Sequence, residues 1–199
     1  MATGRQAARL EAALGDHPET GSRLALHELD PGDDTSIEAA SRAILARANA
    51  IDLLFHASGM LHDEIVAPEK RVEALDRRAL LRSFEANAIA PMLVTRALLP
   101  GLLAARAPRV AALSARVGSI GDNRLGGWYA YRASKAAQNM ITRCLSIEIR
   151  RHARGAIVVA LHPGTTDTDL SRPFQARVPR ARLKRPERAA DALLAVVDG

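Results

Sequence analysis

Apolar and polar residues follow two alternating patterns along this chain. Short apolar runs alternate with longer amphipathic stretches, and this alternation predicts an α/β fold with a parallel sheet. The predicted strands are residues 23–29, 51–55, 109–113 and 156–161. The predicted helices are residues 6–14, 35–48, 82–105 (in a helical region from about Leu75), 129–152 and 186–197.

Two of the predicted helices begin with recognisable start signals. Thr35-Ser36-Ile37-Glu38 has the S/T-x-x-E form of a capping box, which predicts Thr35 as the cap of the second helix. Pro186 stands where proline is favoured, in the first turn of the last helix.

Composition limits the class of protein. At 199 residues and 48% apolar content, one domain with a proper core is expected. No apolar run approaches the roughly 20 residues of a membrane span, and the first residues lack a signal-peptide pattern. Cys144 is the single cysteine, which excludes an intramolecular disulfide. We therefore expect a cytoplasmic protein without a membrane partner.

The charge of the chain raises the question of nucleic-acid binding. The formal net charge is +6, and the densest basic stretch is residues 177–188. Phosphates attract such stretches, but the chain is only 3% aromatic and this stretch has no aromatic residue to stack on bases. We expect a solvated loop that binds no nucleic acid and helps to attract a phosphorylated cofactor.

Tyr131 and Lys135 are the most informative pair in the sequence. Their Y-x-x-x-K spacing places them on one helix face, about one turn apart. An ammonium beside a phenol lowers the tyrosine pKa from about 10, so that the tyrosine can exchange a proton at cellular pH. An amphipathic helix with an exposed lysine has the same spacing. However, the chain has only two tyrosines and three lysines, which makes a chance pairing improbable.

Further polar residues follow the predicted strands, where open α/β sheets bind their ligands. Asp30 follows the first strand, residues 56–59 (HASG) the second, Ser114 the third and residues 163–168 (PGTTDT) the fourth. Each of them alone could be ordinary turn chemistry. Together with Tyr131 and Lys135 they predict a site at this edge of the sheet.

The residues around Tyr131 carry a family resemblance. The run 126–137 (GGWYAYRASKAA) resembles the active-site segment of the short-chain dehydrogenase/reductase family, and residues 118–128 are most like its carbonyl-reductase, C-factor-like branch. The resemblance implies a Rossmann-like, doubly wound parallel sheet in a single partial domain over residues 1–199. It also implies NADPH-dependent reduction of an aldehyde or ketone, with no metal ion.

The resemblance assigns a role to individual residues. Tyr131 is the implied general acid for reduction, Lys135 lowers its pKa and binds the nicotinamide ribose, and Asn87 helps to hold a proton-relay water. The implied cofactor residues are Arg5, Asp30, Gly59, Tyr131, Lys135, Pro163, Gly164, Thr166 and Thr168. Arg5 matches the position that pairs with a 2′-phosphate, which favours NADP over NAD.

Two departures from the family pattern affect individual residues. Ala115 stands where the family has its catalytic serine, which leaves Ser114 or Ser119 to polarise the carbonyl, and Ser114 is preferred. His56 stands where the family has an asparagine that braces the sheet. It could take over that hydrogen bond, and we do not expect it to be catalytic.

The largest departure is the absence of a G-x-x-x-G-x-G turn, which holds the cofactor pyrophosphate in the family. Residues 1–5 resemble the end of the second family strand, and the last strand also lacks a counterpart. Since the first strand lies at the sheet centre, we expect strand 23–29 to be separated from the others. One hypothesis is a longer natural protein in which Met1 is internal. The other is a true truncation, giving a non-catalytic or signalling protein without cofactor binding.

The remaining expectations concern partners. The expected substrate is a small carbonyl compound or alcohol. The resemblance implies that residues 169–184 shape its pocket. The helices at 82–105 and 129–152 correspond to those through which many family members associate. Their apolar faces permit a homodimer there but do not demand one.

Overall fold

A computed structural model describes residues 1–5, 8, 11, 12 and 24–198, and the predicted helix 6–14 falls mainly outside them. The strands are β1 (Ala2–Gly4), β2 (Leu26–Glu28), β3 (Leu53–His56), β4 (Arg109–Leu113) and β5 (Ile157–Leu161). The longer helices are α1 (Asp34–Arg47), α2 (Arg77–Ala104), α3 (Tyr129–His152) and α4 (Pro186–Asp198). Strands and helices alternate and every strand pair is parallel, which confirms the predicted α/β fold.

The five strands form two sheets. β1 pairs with β2, and β3, β4 and β5 form a second sheet in that order. Among the described residues no hydrogen-bonded strand joins the two sheets, as the sequence predicts. A cavity of about 740 Å³ lies between the edges of β1 and β3.

The larger sheet is the middle of three layers and has helices on both faces. Val110 and Ala111 are adjacent in β4 and point to opposite faces, as the strand period requires. Val110 packs with Leu102 of α2 and Ile149 of α3. Ala111 packs with residues of α4, among them the fully buried Val197. Helices therefore cover both faces, and the carboxyl ends of β3, β4 and β5 are left open at one edge.

The capping residue of α1 lies two residues before the predicted one. The capping residue is Asp33, whose side chain accepts hydrogen bonds from the Thr35 backbone N–H at 2.9 Å and from the Thr35 hydroxyl at 2.8 Å. The Thr35 hydroxyl is thus a donor to Asp33, and the predicted capping box is wrong. Asp33 takes the cap because a carboxylate accepts more strongly than a hydroxyl at a helix N-terminus.

α2 is continuous from Arg77 to Ala104 and contains a π-helical stretch at Glu85–Ile89. The helix is therefore longer than the predicted 82–105 at its start. By length and composition alone it could cross a membrane, with a mean hydropathy of 1.4 in its most apolar window. Half of that window (50%) is buried inside the fold, as in the core helix of a protein without a membrane span.

Candidate active site

A cavity of about 960 Å³ opens at the carboxyl ends of β3, β4 and β5, beside the first turns of α3. The sequence predicted a site at this edge. The predicted residues that line the cavity are Gly59, Ser114, Tyr131, Lys135, Pro163, Gly164, Thr166 and Thr168.

Three predicted residues lie outside this lining. Arg5 is exposed and lines the 740 Å³ cavity next to β1. Asp30 lines neither described cavity, and its carboxylate accepts the Gly32 backbone N–H at 3.0 Å in the turn after β2. Asn87 is fully buried behind the cavity wall. The two cavities share Phe55, Ala57 and Ser58 at the end of β3, so they meet there.

Tyr131 is held as a protonated phenol. Its side chain is 9% exposed, and burial raises its pKa to about 12. The Lys135 Nζ lies 5.9 Å from the centre of the tyrosine ring. The predicted lowering of the Tyr131 pKa is therefore wrong for this structure, because burial disfavours the charged phenolate and raises the pKa.

The Lys135 ammonium is directed towards β4. Nζ donates hydrogen bonds to the Leu113 carbonyl at 2.8 Å and to Gln138 Oε1 at 2.9 Å. The side chain is 3% exposed, and burial lowers its pKa to about 8. The buried charge therefore costs stability at neutral pH, although both bonds favour it.

This burial predicts how stability changes with pH in Lys135→Met. Between pH 8 and 10.5 the folded chain has lost the Lys135 proton while the unfolded chain still holds it. The unfolding free energy of the wild type should therefore rise across that window relative to Lys135→Met, by about 3 kcal/mol in total.

Urea unfolding of both proteins at several pH values measures this difference. Lys70→Met, at an exposed lysine, is the control and should follow the wild type. If the unfolding free energies of the wild type and Lys135→Met differ by the same amount from pH 8 to 10.5, Lys135 does not titrate in that window.

Asn87 is the centre of a buried polar network. Its Nδ2 donates to the Met60 carbonyl at 2.8 Å and to Ser134 Oγ at 3.0 Å. Its Oδ1 accepts the Met60 backbone N–H at 2.8 Å. The side chain therefore joins three parts of the fold: α2, the segment that follows β3, and α3. It binds α3 at Ser134, the residue before Lys135.

Gly59 fits closely between that network and the cavity. A Cβ atom at this position would lie 3.2 Å from Asn87 Oδ1 and 3.4 Å from Lys135 Nζ. A side chain would therefore push against the predicted site residues, which accounts for glycine at the end of this strand.

Of the two candidate serines, Ser114 lines the cavity and Ser119 is not among its lining residues. The Ser114 hydroxyl donates to Asn139 Oδ1 at 2.7 Å, so it must rotate before it can donate to a substrate. Ser119 is exposed, and its hydroxyl accepts the Asp122 backbone N–H at 3.3 Å. The geometry supports the preference for Ser114. Ala115 also lines the cavity but has no polar group.

His56 braces the end of β3 against α2. Its Nε2 is 2.8 Å from the Thr95 hydroxyl, and burial lowers its pKa to about 4, so the ring is neutral at physiological pH. This is the bracing hydrogen bond that the sequence suggested for His56.

Sequence reasoning missed an aromatic wall of this cavity, formed by Trp128 and Phe174. Their ring centres are 5.0 Å apart, and the Trp128 ring lies 6.3 Å from that of Tyr131. His62 packs edge-on against Phe174 at 5.6 Å. Aromatic residues make up only 3% of the chain, and this rarity was the one signal in the sequence that could have drawn attention to them. Their clustering appears only in the folded structure.

Two positive charges lie near His162, which follows β5 and lines the cavity. The pKa of His162 is lowered by burial first and then by the nearby charges of Arg116 and Lys184. A Cβ on Gly164 would lie 3.4 Å from the Lys184 Nζ. Among the described residues no group of three or more His, Cys, Asp or Glu side chains could hold a metal ion.

A comparison with models of protein families identifies the family of this chain. The sequence model described as "short chain dehydrogenase" matches residues 1–178. The chain belongs to this family. It is therefore an oxidoreductase of the NAD(P)-dependent class, as the Y-x-x-x-K segment indicated.

Individual relatives agree with this family. The C-signal of Myxococcus xanthus is 41% identical over 125 residues, which are 63% of this chain and 70% of the relative. A 1-hydroxy-2-glutathionyl-2-methyl-3-butene dehydrogenase of a Rhodococcus strain is 33% identical over 175 residues, covering 85% of this chain and 71% of the relative. Among solved structures, the NADPH-bound carbonyl reductase from chicken fatty liver has a TM-score of 0.81 at 28% identity. The match covers 98% of this chain and 78% of that structure.

The residues at the cavity fit the nicotinamide end of such a cofactor. Thr166 Oγ1 is buried and has no hydrogen-bond partner among the described residues. Gly164 adopts a φ of +82°, which lets the backbone turn closely at the cavity wall. Apolar residues of β3, β4 and α4 supply the surfaces on which a flat ring can lie.

Proposed function

We propose that this short chain dehydrogenase reduces an aldehyde or ketone to an alcohol, with NADPH as the reductant. The observation that carries the proposal is the position of Tyr131 at the 960 Å³ cavity, next to Lys135 and at the carboxyl ends of the strands. Burial raises the pKa of its phenol. A phenol with a pKa near 12 keeps its proton at neutral pH, and reduction of a carbonyl requires a proton donor.

The chain's own residues divide the work of the reaction. Tyr131 donates its proton to the carbonyl oxygen and recovers one from solvent. Ser114, after rotation away from Asn139, holds the same oxygen. Asn87 keeps the elements around Tyr131 and Lys135 in register and, by resemblance, helps to hold a proton-relay water. When bound, NADPH supplies the hydride that the carbonyl carbon accepts.

Cofactor binding uses both cavities in this proposal. Lys135, Pro163, Gly164, Thr166 and Thr168 would hold the nicotinamide and its ribose, with Gly59 giving close access. Two N–H groups of the Lys135 ammonium bond to protein, which leaves the third for a ribose hydroxyl.

The adenosine end would lie past the end of β3, near Arg5 and Asp30. The cavities meet at Ser58, and the exposed Arg5 guanidinium suits the 2′-phosphate of NADP.

The substrate side of the cavity is apolar and aromatic. Trp128 and Phe174 stand beside the Tyr131 ring, and Leu170 and Val178 also line the cavity. This lining favours carbonyl compounds with an apolar or aromatic substituent, since burial of apolar surface stabilises the bound substrate.

Steady-state consumption of NADPH tests the function. The purified chain is incubated with aliphatic aldehydes, aryl ketones and a 1,2-diketone, and the loss of reduced cofactor is followed by absorbance. We expect substrate-dependent turnover, faster with NADPH than with NADH and fastest with apolar ketones. Absence of turnover with every compound and both cofactors would contradict the proposed activity.

We also propose a homodimer in the cytoplasm, formed through residues 82–105 and 129–152. Large apolar side chains are exposed on both helices, among them Leu103 on α2 and Met140 and Ile147 on α3. Light scattering during size exclusion measures the mass; a monomer at all concentrations would contradict this assembly.

A second candidate is a non-catalytic or signalling protein. The relative that is 41% identical carries the name C-signal, and the separated sheets place a wide gap beside the proposed adenosine site. A Tyr131→Phe variant discriminates between the two, because a signalling role that needs no catalysis is unchanged by loss of the hydroxyl.

A further inference from the structure

The helix that carries Tyr131 begins in an unusual way. Gly126 and Gly127 each have a φ of 63° and Trp128 has a φ of 53°, so three successive residues adopt the left-handed conformation. Glycine tolerates this conformation, whereas a bulky residue held in it costs about 1–3 kcal/mol. Trp128 is also the capping residue of α3, and its side chain accepts no capping hydrogen bond.

Glu69 supplies the missing acceptors from a distant part of the chain. Its backbone carbonyl accepts the Trp128 N–H, and its carboxylate Oε2 accepts the Ala130 N–H at 3.3 Å. Two of the backbone N–H groups at the start of α3 are therefore satisfied by one residue. A carboxylate also complements the positive end of the helix dipole.

Burial makes Glu69 more than a surface cap. The residue is 5% exposed, and its Oε1 is buried without a hydrogen-bond partner among the described residues. An unpaired buried carboxylate oxygen costs stability. A helix cap alone does not require that cost, since an exposed serine or aspartate serves equally well.

Arg132 holds the same turn from the opposite side. Its Nε donates to the Gly127 carbonyl at 2.9 Å, and its Nη1 donates to the Val117 carbonyl at 3.3 Å. In the chain Tyr131 lies between Ala130, whose N–H Glu69 binds, and Arg132. The contacts of Glu69 and Arg132 therefore fix the first turn of α3 relative to the cavity.

We propose that Glu69 is a positioning residue for Tyr131: by binding Trp128 and Ala130 it holds the phenol at the place where the substrate oxygen must lie. The proposal rests on the function proposed above. A displacement of about 1 Å in a reacting group can reduce the rate roughly 100-fold, so the loss of this contact should appear in kcat.

Three variants test the proposal: Glu69→Ala, Glu69→Gln and, as control, Glu73→Ala at a nearby exposed glutamate. In Glu69→Ala we expect kcat, per folded molecule, to fall about 10- to 100-fold, with the KM for the carbonyl and the Kd for NADPH changed less than about threefold. Glu69→Gln retains an oxygen that accepts the Ala130 N–H and should keep kcat within about threefold of wild type. Glu73→Ala should match the wild type.

Trp128 provides a second readout, because it is the single tryptophan of the chain. Glu69→Ala keeps the backbone carbonyl that accepts the Trp128 N–H and loses the carboxylate that accepts the Ala130 N–H. We expect the first turn of α3 to move when that side-chain contact is lost, so the Trp128 emission should shift in Glu69→Ala and stay unchanged in Glu73→Ala. An unchanged kcat per folded molecule in Glu69→Ala, with only a lower melting temperature, would overturn the positioning role. If the wild type itself is inactive, the proposed function fails, and the emission spectra still test the role of the Glu69 carboxylate: an unchanged Trp128 spectrum in Glu69→Ala would show that its bond to the Ala130 N–H does not hold the first turn of α3 in place.

Discussion

Replacement of Tyr131 by phenylalanine should lower kcat for carbonyl reduction by about 10²–10⁴-fold, the usual contribution of a general acid. The variant should still fold, because the ring keeps its contact with Trp128 at 6.3 Å. The lost hydroxyl makes no hydrogen bond to any residue that the structure describes. Affinity for NADPH and the KM for the carbonyl should change less than about threefold, since the missing proton is needed mainly in the transition state.

Tyr129→Phe is the matched control for this variant. Tyr129 lies in the same helical turn and is 38% exposed, and it does not line the cavity. Its kcat should equal that of the wild type. A Tyr131→Phe protein with a kcat within tenfold of the wild type would remove Tyr131 as the proton donor.

Replacement of Asn87 by leucine should have the largest effect on stability, about 3 kcal/mol in the free energy of unfolding. Leucine of similar size cannot accept the Met60 N–H or donate to the Met60 carbonyl and Ser134 Oγ. Each buried polar group without a partner costs about 1–3 kcal/mol, and the Met60 groups are only partly buried, which reduces the sum. A domain with about 5–15 kcal/mol of stability loses much of it.

Urea unfolding of Asn87→Leu, with Asn123→Leu as control, measures this effect. Asn123 is exposed, and its side chain makes one local bond to the Gly126 N–H, so the control should lose less than about 1 kcal/mol. Equal midpoints for Asn87→Leu and the wild type would show that the network around Asn87 does not hold the site together.

The best-predicted elements are those whose patterns are long or isolated. β4 and α3 have the bounds that the sequence indicated, Arg109–Leu113 and Tyr129–His152. Among the described residues β2 is shorter than predicted, Leu26–Glu28, because its partner there is the three-residue β1 and an unpaired strand end has no reason to stay extended. The cap of α1 was misplaced because Asp33 and Thr35, two residues apart, are both capping residue types. The S/T-x-x-E form of residues 35–38 favoured Thr35, whereas the side chain of Asp33 makes the capping bond.

The site was predictable in its residues and less so in its energetics. Spacing placed Tyr131 and Lys135 on one helix face, and strand ends placed Ser114 and Gly164 near them. The Tyr131 pKa depends on burial and on where the Lys135 ammonium points, and both are set by distant residues such as Leu113. Tertiary contacts also determine the left-handed conformation of Trp128 and the contacts that Glu69 makes with the start of α3, since these residues lie far apart in sequence.

The π-helical stretch at Glu85–Ile89 has the same origin. Local propensity gives no reason for an extra residue in that turn, but Asn87 lies within it and binds both Met60 and Ser134. The change in helix type therefore coincides with the buried network around Asn87 and not with a local sequence signal in α2.

The most direct test of the account follows one hydrogen atom. The purified chain is supplied with NADPH carrying deuterium on the transferable position and with the ketone that it reduces fastest, and the alcohol is analysed by mass spectrometry. The account predicts one deuterium on the former carbonyl carbon of the product, formed at the wild-type rate by Tyr129→Phe and at least about 100-fold more slowly by Tyr131→Phe. No deuterated alcohol from the wild type, or equal rates from both variants, would contradict it.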